Sequence, residues 1–230
     1  MTGDTQKNRG ILTDILLIYA TAIALTIFIT FLKPVSPVIR ANAGGIVAAG
    51  FILIVIFVSL IRKENLAEYG LRFDHWKSEI LLVISLCIII FPIYILGFKI
   101  YWQPPSPFAL RFAINPIFFV MNHFLVVAIP EELLFRGIIQ QRLGLLFKKR
   151  INLPGFSLGM HIPVASFLFA LGHLASNPNP ARLATFFPAL IFGCLKERRG
   201  TLIGCTLFHA LCNIFSDIVV WGYFGIPVKN

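Results

Sequence analysis

Long apolar runs separated by short polar connections dominate this chain. A helix that crosses a bilayer needs about 20 mostly apolar residues. Residues 11–32 meet that length, with Asp14 near the start, and stop at Lys33-Pro34. Residues 41–61 form a second run, opening on the small residues Ala43, Gly44, Gly45, Ala48, Ala49 and Gly50, which permit close helix contact. A polar connection over 62–78 leads to a third run, 80–98, where Pro92 predicts a kink. Tyr101-Trp102-Gln103-Pro104-Pro105 begins an aromatic, proline-rich loop suited to the membrane interface. The fourth run is 112–129. Helical patterning persists beyond it to Phe147 and closes on Lys148-Lys149-Arg150. A short apolar segment, 162–174, ends at Asn177-Pro178-Asn179-Pro180, a strong breaker. Residues 183–195 and 201–224 complete the series.

This pattern predicts an all-α, polytopic transmembrane bundle of seven spans, or eight if the fourth run splits at Pro130. Proline followed by two acids is a helix-start signature, and it supports the split. The whole of 1–230 reads as one integral membrane domain, with a core over 112–224 and N-terminal spans over 11–99. Composition agrees: 57% of residues are hydrophobic, 13% are charged, and the mean hydropathy is +0.84. Soluble domains carry about 25% charged residues. No cleaved signal peptide is expected, because the first run is too long for one and lacks a cleavage site.

The net charge of +10 raises the possibility of a nucleic-acid partner. The cations sit in the connections, however, and their distribution is that of a membrane protein obeying the positive-inside rule. With the N-terminus inside, the inner segments hold Lys7, Arg9, Arg62, Lys63, Arg72, Lys77, Arg142, Lys148, Lys149, Arg150, Lys196, Arg198 and Arg199. The outer ones hold Lys33, Arg40, Lys99, Arg111, Arg182 and Lys229, so the balance is 13 against 6. This predicts a cytoplasmic N-terminus and no nucleic-acid partner. Cys87, Cys194, Cys205 and Cys212 all lie in apolar runs and read as buried hydrophobes.

Against this background, Pro130-Glu131-Glu132-Leu133-Leu134-Phe135-Arg136 stands out. An ionisable side chain at membrane depth costs at least about 2.5–3.5 kcal/mol, and such groups pair or perform chemistry. Glu132 and Arg136 stand four apart, acid first, and share a helix face. Glu131 points about 100° away from that face and is the free acid. Later spans add His173, and His209 with Asn213 one turn further on. Gly172 beside His173 offers room for close approach. His123, His161 and His75 receive no role, and Asp14 and Asp217 sit nearer span ends.

A carboxylate with a histidine, facing a second histidine and an amide, can hydrolyse an acyl bond. Glu131 would take a proton from water held by His173. His209 and Asn213 would donate to the developing oxyanion. A zinc site of Glu131, His173 and His209 is the alternative chemistry, although no His-Glu-x-x-His is present.

Glu-Glu-x-x-x-Arg, Phe-x-x-x-His and His-x-x-x-Asn, in this order on successive apolar segments, resemble the CAAX protease and bacteriocin-processing (Abi) family of intramembrane endopeptidases. The type II CAAX prenyl endopeptidase is its best-known branch. The resemblance covers residues 118–217. It implies a metal-free glutamic protease in which Glu131 is catalytic and His173 joins it in activating water. It also implies an oxyanion hole of His209 and Asn213, supported by Glu132 and Arg136. The implied substrate is a membrane-anchored or lipidated protein cleaved near its C-terminus or anchor. The implied setting is the lipid bilayer of a bacterial or archaeal plasma membrane. The motifs do not separate prenyl-protein processing from sorting-signal cleavage or from immunity proteins. Outside the family, a proton-coupled transporter is the competing reading of buried Glu and His.

The straight spans leave one conflict. They place Glu131 near the inner end of the fourth run, His173 near the outer end of the fifth, and His209 at mid-depth. Two solutions are open: one long tilted helix through Pro130, or a fifth segment that enters only part way.

Overall fold

In the computed structural model, which describes residues 2–112, 115–153 and 156–226, nearly all regular structure is helical. Helix α1 spans Thr2–Leu32, α2 Pro37–Arg62 and α3 Trp76–Trp102. A continuous helical run, α4, covers Pro116–Leu146. A small antiparallel hairpin, β1 Ile151–Leu153 and β2 Phe156–Leu158, pairs Ile151 with Leu158. Helix α5 is His161–Ser176, followed by a 3-10 turn at Pro180–Thr185, then α6 Phe186–Arg199 and α7 Ile203–Phe224. Five of these helices, α1 to α4 and α7, are long and apolar enough to cross a membrane. Helix α5 has 16 residues and α6 has 14. At 1.5 Å per residue they reach about 24 and 21 Å, short of a hydrocarbon core about 30 Å thick. Ala113, Ile114 and Lys229, which entered the span and charge readings, lie outside the described residues.

The alternative split at Pro130 does not occur. Proline cannot donate to the helix ladder, yet α4 runs through it. The run widens to π-helical turns on both sides, at Asn122–Ala128 and Leu133–Gln140. The Ile129 N–H, for example, bonds the Phe124 carbonyl five residues back. Such π turns absorb a misfit in the ladder and occur frequently at functional sites. Glu131 is 15 residues from each end of α4. It is therefore central along a continuous helix, not near the inner end, and the short α5 is also compatible with a segment that enters only part way. Helix α3 likewise continues through Pro92.

The core forms around the second half of α4, where all eight residues from Leu133 to Gln140 are buried. Leu134, Ile138 and Ile139 pack against Ala165 and Phe169 of α5, Phe192 of α6 and Phe208 of α7. Helices α1 and α2 cover this core with Ile15, Ile18, Ala22, Phe51 and Val55. They leave large side chains such as Phe28, Phe31, Phe57 and Leu60 on the outside. That division is expected where lipid, not water, surrounds the bundle and the outward face stays apolar.

Charged residues near one end of the bundle lock the helices together. Asp14 of α1 pairs with Arg62 of α2 and, at 3.4 Å, with Arg142 of α4. Arg142 also binds Glu64 at 2.7 Å, and Glu64 accepts from the Tyr69 hydroxyl. Tyr69 is buried in the connection between α2 and α3, and its phenol is pushed up by that burial and by the neighbouring carboxylate. The polar connection between the second and third apolar runs is thus a packed part of the bundle.

A buried Glu-Arg-His centre beside a Glu-His cleft

Glu132 is fully buried and holds the centre together. Its Oε1 lies 3.1 Å from Nη1 of Arg136, one turn along α4, and 2.8 Å from Nδ1 of His209 on α7. Arg136 donates in addition to the Ala189 carbonyl of α6 at 3.2 Å. Its guanidinium lies 4.3 Å from the Phe169 ring centre and 5.2 Å from that of Phe192, within cation–π range. The same two rings frame His209. Phe192 stacks on it at 4.7 Å with planes 13° apart, and Phe169 meets it edge-on at 5.8 Å. A carboxylate only accepts, so the Glu132 contact places a proton on Nδ1 of His209. The other nitrogen, Nε2, faces Glu131 at 3.7 Å.

Glu131 is the acid left partly open, with 23% of its side chain exposed. It lines a cavity of ≈ 180 Å³ together with Val126, Val127, Pro130 and Phe135 of α4 and Phe169, Gly172, His173 and Ser176 of α5. Residues from Ile23 to Thr30 of α1, Lys33 just past it, and residues from Ala43 to Phe51 of α2 form the opposite walls. The small residues at the start of α2 thus border open space as well as helix contact. Nδ1 of His173 bonds the Phe169 carbonyl at 2.9 Å. A carbonyl accepts, so Nδ1 is the protonated nitrogen and Nε2 keeps its lone pair. Glu131 and His173 therefore share one cavity, each with an acceptor atom uncommitted.

The structure brings together Glu131, Glu132, Arg136, His173 and His209. Asn213 lies one turn beyond His209 and is half-buried; it does not line the cavity, and its side chain makes no hydrogen bond among the described residues. Gly172 is not required by crowding, since a Cβ there would sit at ordinary contact, 3.4 Å from Ile23 and 3.5 Å from Phe135. Phe192 is a contributor that the sequence does not disclose; nothing marks it among the other phenylalanines of the apolar runs. His123 pairs with Asp217 at 3.3 Å, away from this centre. His161 is buried, not marginal, and binds Glu197 at 2.9 Å. Among the described residues, no three His, Cys, Asp or Glu side chains are grouped to hold a metal ion.

The fold and the centre define a polytopic helical membrane protein with a buried, paired acid beside an open one. Residues 113–215 match the family model described as type II CAAX prenyl endopeptidase Rce1-like. This stretch holds every residue of the centre, and its similarity supports a likeness to the CAAX protease and bacteriocin-processing family. The match supports a CAAX-type intramembrane protease, a hydrolase acting on membrane-associated protein. No curated protein and no solved structure matches the chain.

Proposed function

We propose that the chain is a glutamic endopeptidase that hydrolyses a peptide bond near the C-terminus or membrane anchor of a substrate protein. The observation that carries this reading is the shared Glu131–His173 cavity, with His209 Nε2 only 3.7 Å from the Glu131 carboxylate. Water would sit between Glu131 and Nε2 of His173. Glu131 takes one proton as the water oxygen attacks the carbonyl carbon. General base assistance of this kind is worth roughly 10²–10⁴-fold. The carbonyl oxygen becomes an oxyanion, to which His209 and Asn213 donate. Collapse breaks the C–N bond, and Glu131 returns its proton to the leaving amine.

Glu132 has a specific part in this scheme. With Nδ1 of His209 committed to Glu132, Nε2 can donate only when the ring carries both protons. The buried Glu132 carboxylate, 2.8 Å from Nδ1, holds the ring in the orientation that turns Nε2 toward the cleft. Arg136 in turn holds Glu132 in place at 3.1 Å. Glu132 and Arg136 are thus positioning residues, and Glu131, His173, His209 and Asn213 are those that meet water or substrate.

The test is peptide cleavage by the purified protein in detergent, with lipidated C-terminal peptides and tagged C-terminal anchor segments. Cleavage that survives a strong chelator and disappears in Glu131→Gln and His173→Ala supports the reading. Loss on chelation, restored by zinc, would replace it with metal chemistry. Retained cleavage in Glu131→Gln would remove the glutamate from the reaction.

A further inference from the structure

The catalytic cleft has a direction. At its outermost it is bounded by Lys33, the first residue past α1, and by Ser176, the last residue of α5. Both lie at the end of the bundle that carries the α1–α2 turn and the connection between α5 and α6. No residue of α4 beyond Phe135 and no residue of α2 beyond Phe51 lines it. A second cavity, ≈ 440 Å³, occupies the other end and is walled by residues such as Ala67, Gly144, Arg150 and Gly200. Between the two stands the Glu132–Arg136 pair, clasped by Phe169 and Phe192. Arg136 lines the second cavity and not the first, whereas Glu131 lines the first and not the second. Of these two cavities, only the first reaches the open acid.

Charge identifies that face. Among the described residues, the end with the second cavity bears 13 of the 18 Lys and Arg assigned to connections and helix ends, and the end with the cleft bears 5. An excess of this size marks the cytoplasmic side. The cleft itself has one cation, Lys33, in its wall.

We propose that the cleft opens on the extracytoplasmic face, and that the substrate is a membrane-anchored protein whose scissile segment lies on that outer side. This rests on the protease reading of Glu131 and His173. Water for hydrolysis enters from the same side. A lipidated C-terminus presented from the cytosol meets the second cavity, where the Glu132–Arg136 plug separates it from Glu131.

The face can be determined without any substrate. Lys33→Cys, Ser176→Cys and Ala67→Cys are made singly and treated with a membrane-impermeant maleimide, with the unmodified protein as the blank for the four native cysteines. The expected result is labelling of Lys33→Cys and Ser176→Cys in intact cells, and labelling of Ala67→Cys only in inside-out vesicles. The reverse pattern, or labelling of all three from one side, overturns the proposal. A second arm adds the peptide cleaved in detergent to sealed vesicles of each orientation. Cleavage in right-side-out vesicles supports the outer cleft; cleavage confined to inside-out vesicles overturns it. If Glu131→Gln still cleaves, the protease reading fails, while the labelling pattern continues to decide the face.

Discussion

Replacing Arg136 by Met gives the sharpest test of how the centre is held. Methionine keeps much of the volume and removes the charge. Arg136 is 1% exposed and Glu132 is 0% exposed, so neither can turn to water when its partner is lost. Breaking a buried ion pair from one side typically costs about 3–5 kcal/mol, because a charge is left without compensation. Arg136 also loses its bond to Ala189 and its place between two phenylalanine rings, so the upper part of that range applies. His209 remains beside Glu132 and offsets some of the loss. Glu132→Gln in the same chain removes the orphaned charge. The double variant should then recover about 1–3 kcal/mol relative to the sum of the single ones, the coupling expected of contacting residues. The assay is reversible unfolding in detergent micelles, followed by intrinsic fluorescence, for the unmodified protein, both single variants and the double. Additive losses, or an Arg136→Met protein within about 1 kcal/mol of the parent, a size usual for surface changes and small for a broken buried pair, would refute the role assigned to this pair.

Other expectations follow from single contacts. Glu131→Gln should lower kcat by roughly 10²–10⁴-fold with the folding transition unchanged, since among the described residues its carboxylate has no ion-pair partner other than His209 at 3.7 Å; stopped-time cleavage assays beside thermal unfolding separate the two readouts. Asn213→Ala should reduce kcat by about 10²-fold with KM little altered, as for the loss of one oxyanion donor; a change in KM alone would place Asn213 in binding instead. Gly193→Ala should destabilise by about 1–3 kcal/mol, the usual cost of overpacking, because the added methyl would meet Ile162 at 2.8 Å and Gln140 at 2.9 Å; chemical unfolding measures it. Glu197, in the last turn of α6 past its apolar segment, is held below the usual carboxylate range by the hydrogen bond from His161, aided by Arg150. A carboxyl depressed on folding contributes its full stabilisation above its unfolded pKa and loses it as pH falls through the lower folded value. Glu197→Gln should therefore be less stable at neutral pH and lose less on acidification, which unfolding midpoints measured from pH 7 down to about pH 3, below the ordinary Glu value, would reveal.

The parts of this fold that sequence could disclose are those set by local period and spacing. The apolar runs at 11–32, 41–61 and 80–98 fall inside α1, α2 and α3, because uninterrupted apolar length is a local property. The Glu132–Arg136 pair was legible for the same reason: four residues is one helical turn. The course of the chain at Pro130 was not. Proline with two acids is a start signal in any local reading, and only the packing of Leu133 to Gln140 against four other helices makes a continuous, π-widened helix the better solution. The hairpin at 151–158 escaped because its strands are three residues each, too short for a period to show. Burial of Tyr69 escaped because it depends on Glu64 meeting Arg142, 78 positions away.

The same division runs through the site. Sequence order nominated Glu131, His173 and His209, but spacing alone gives no means of knowing that Glu132, not Glu131, holds Nδ1 of His209. That contact decides the chemistry open to the ring. It leaves Nε2 toward Glu131, fixes which nitrogen can reach an oxyanion, and ties the donor to Arg136 through a single carboxylate. In the proposed mechanism two adjacent glutamates thus divide the work by burial: the one sealed in the core holds the histidine by Nδ1, and the one in the cleft moves a proton.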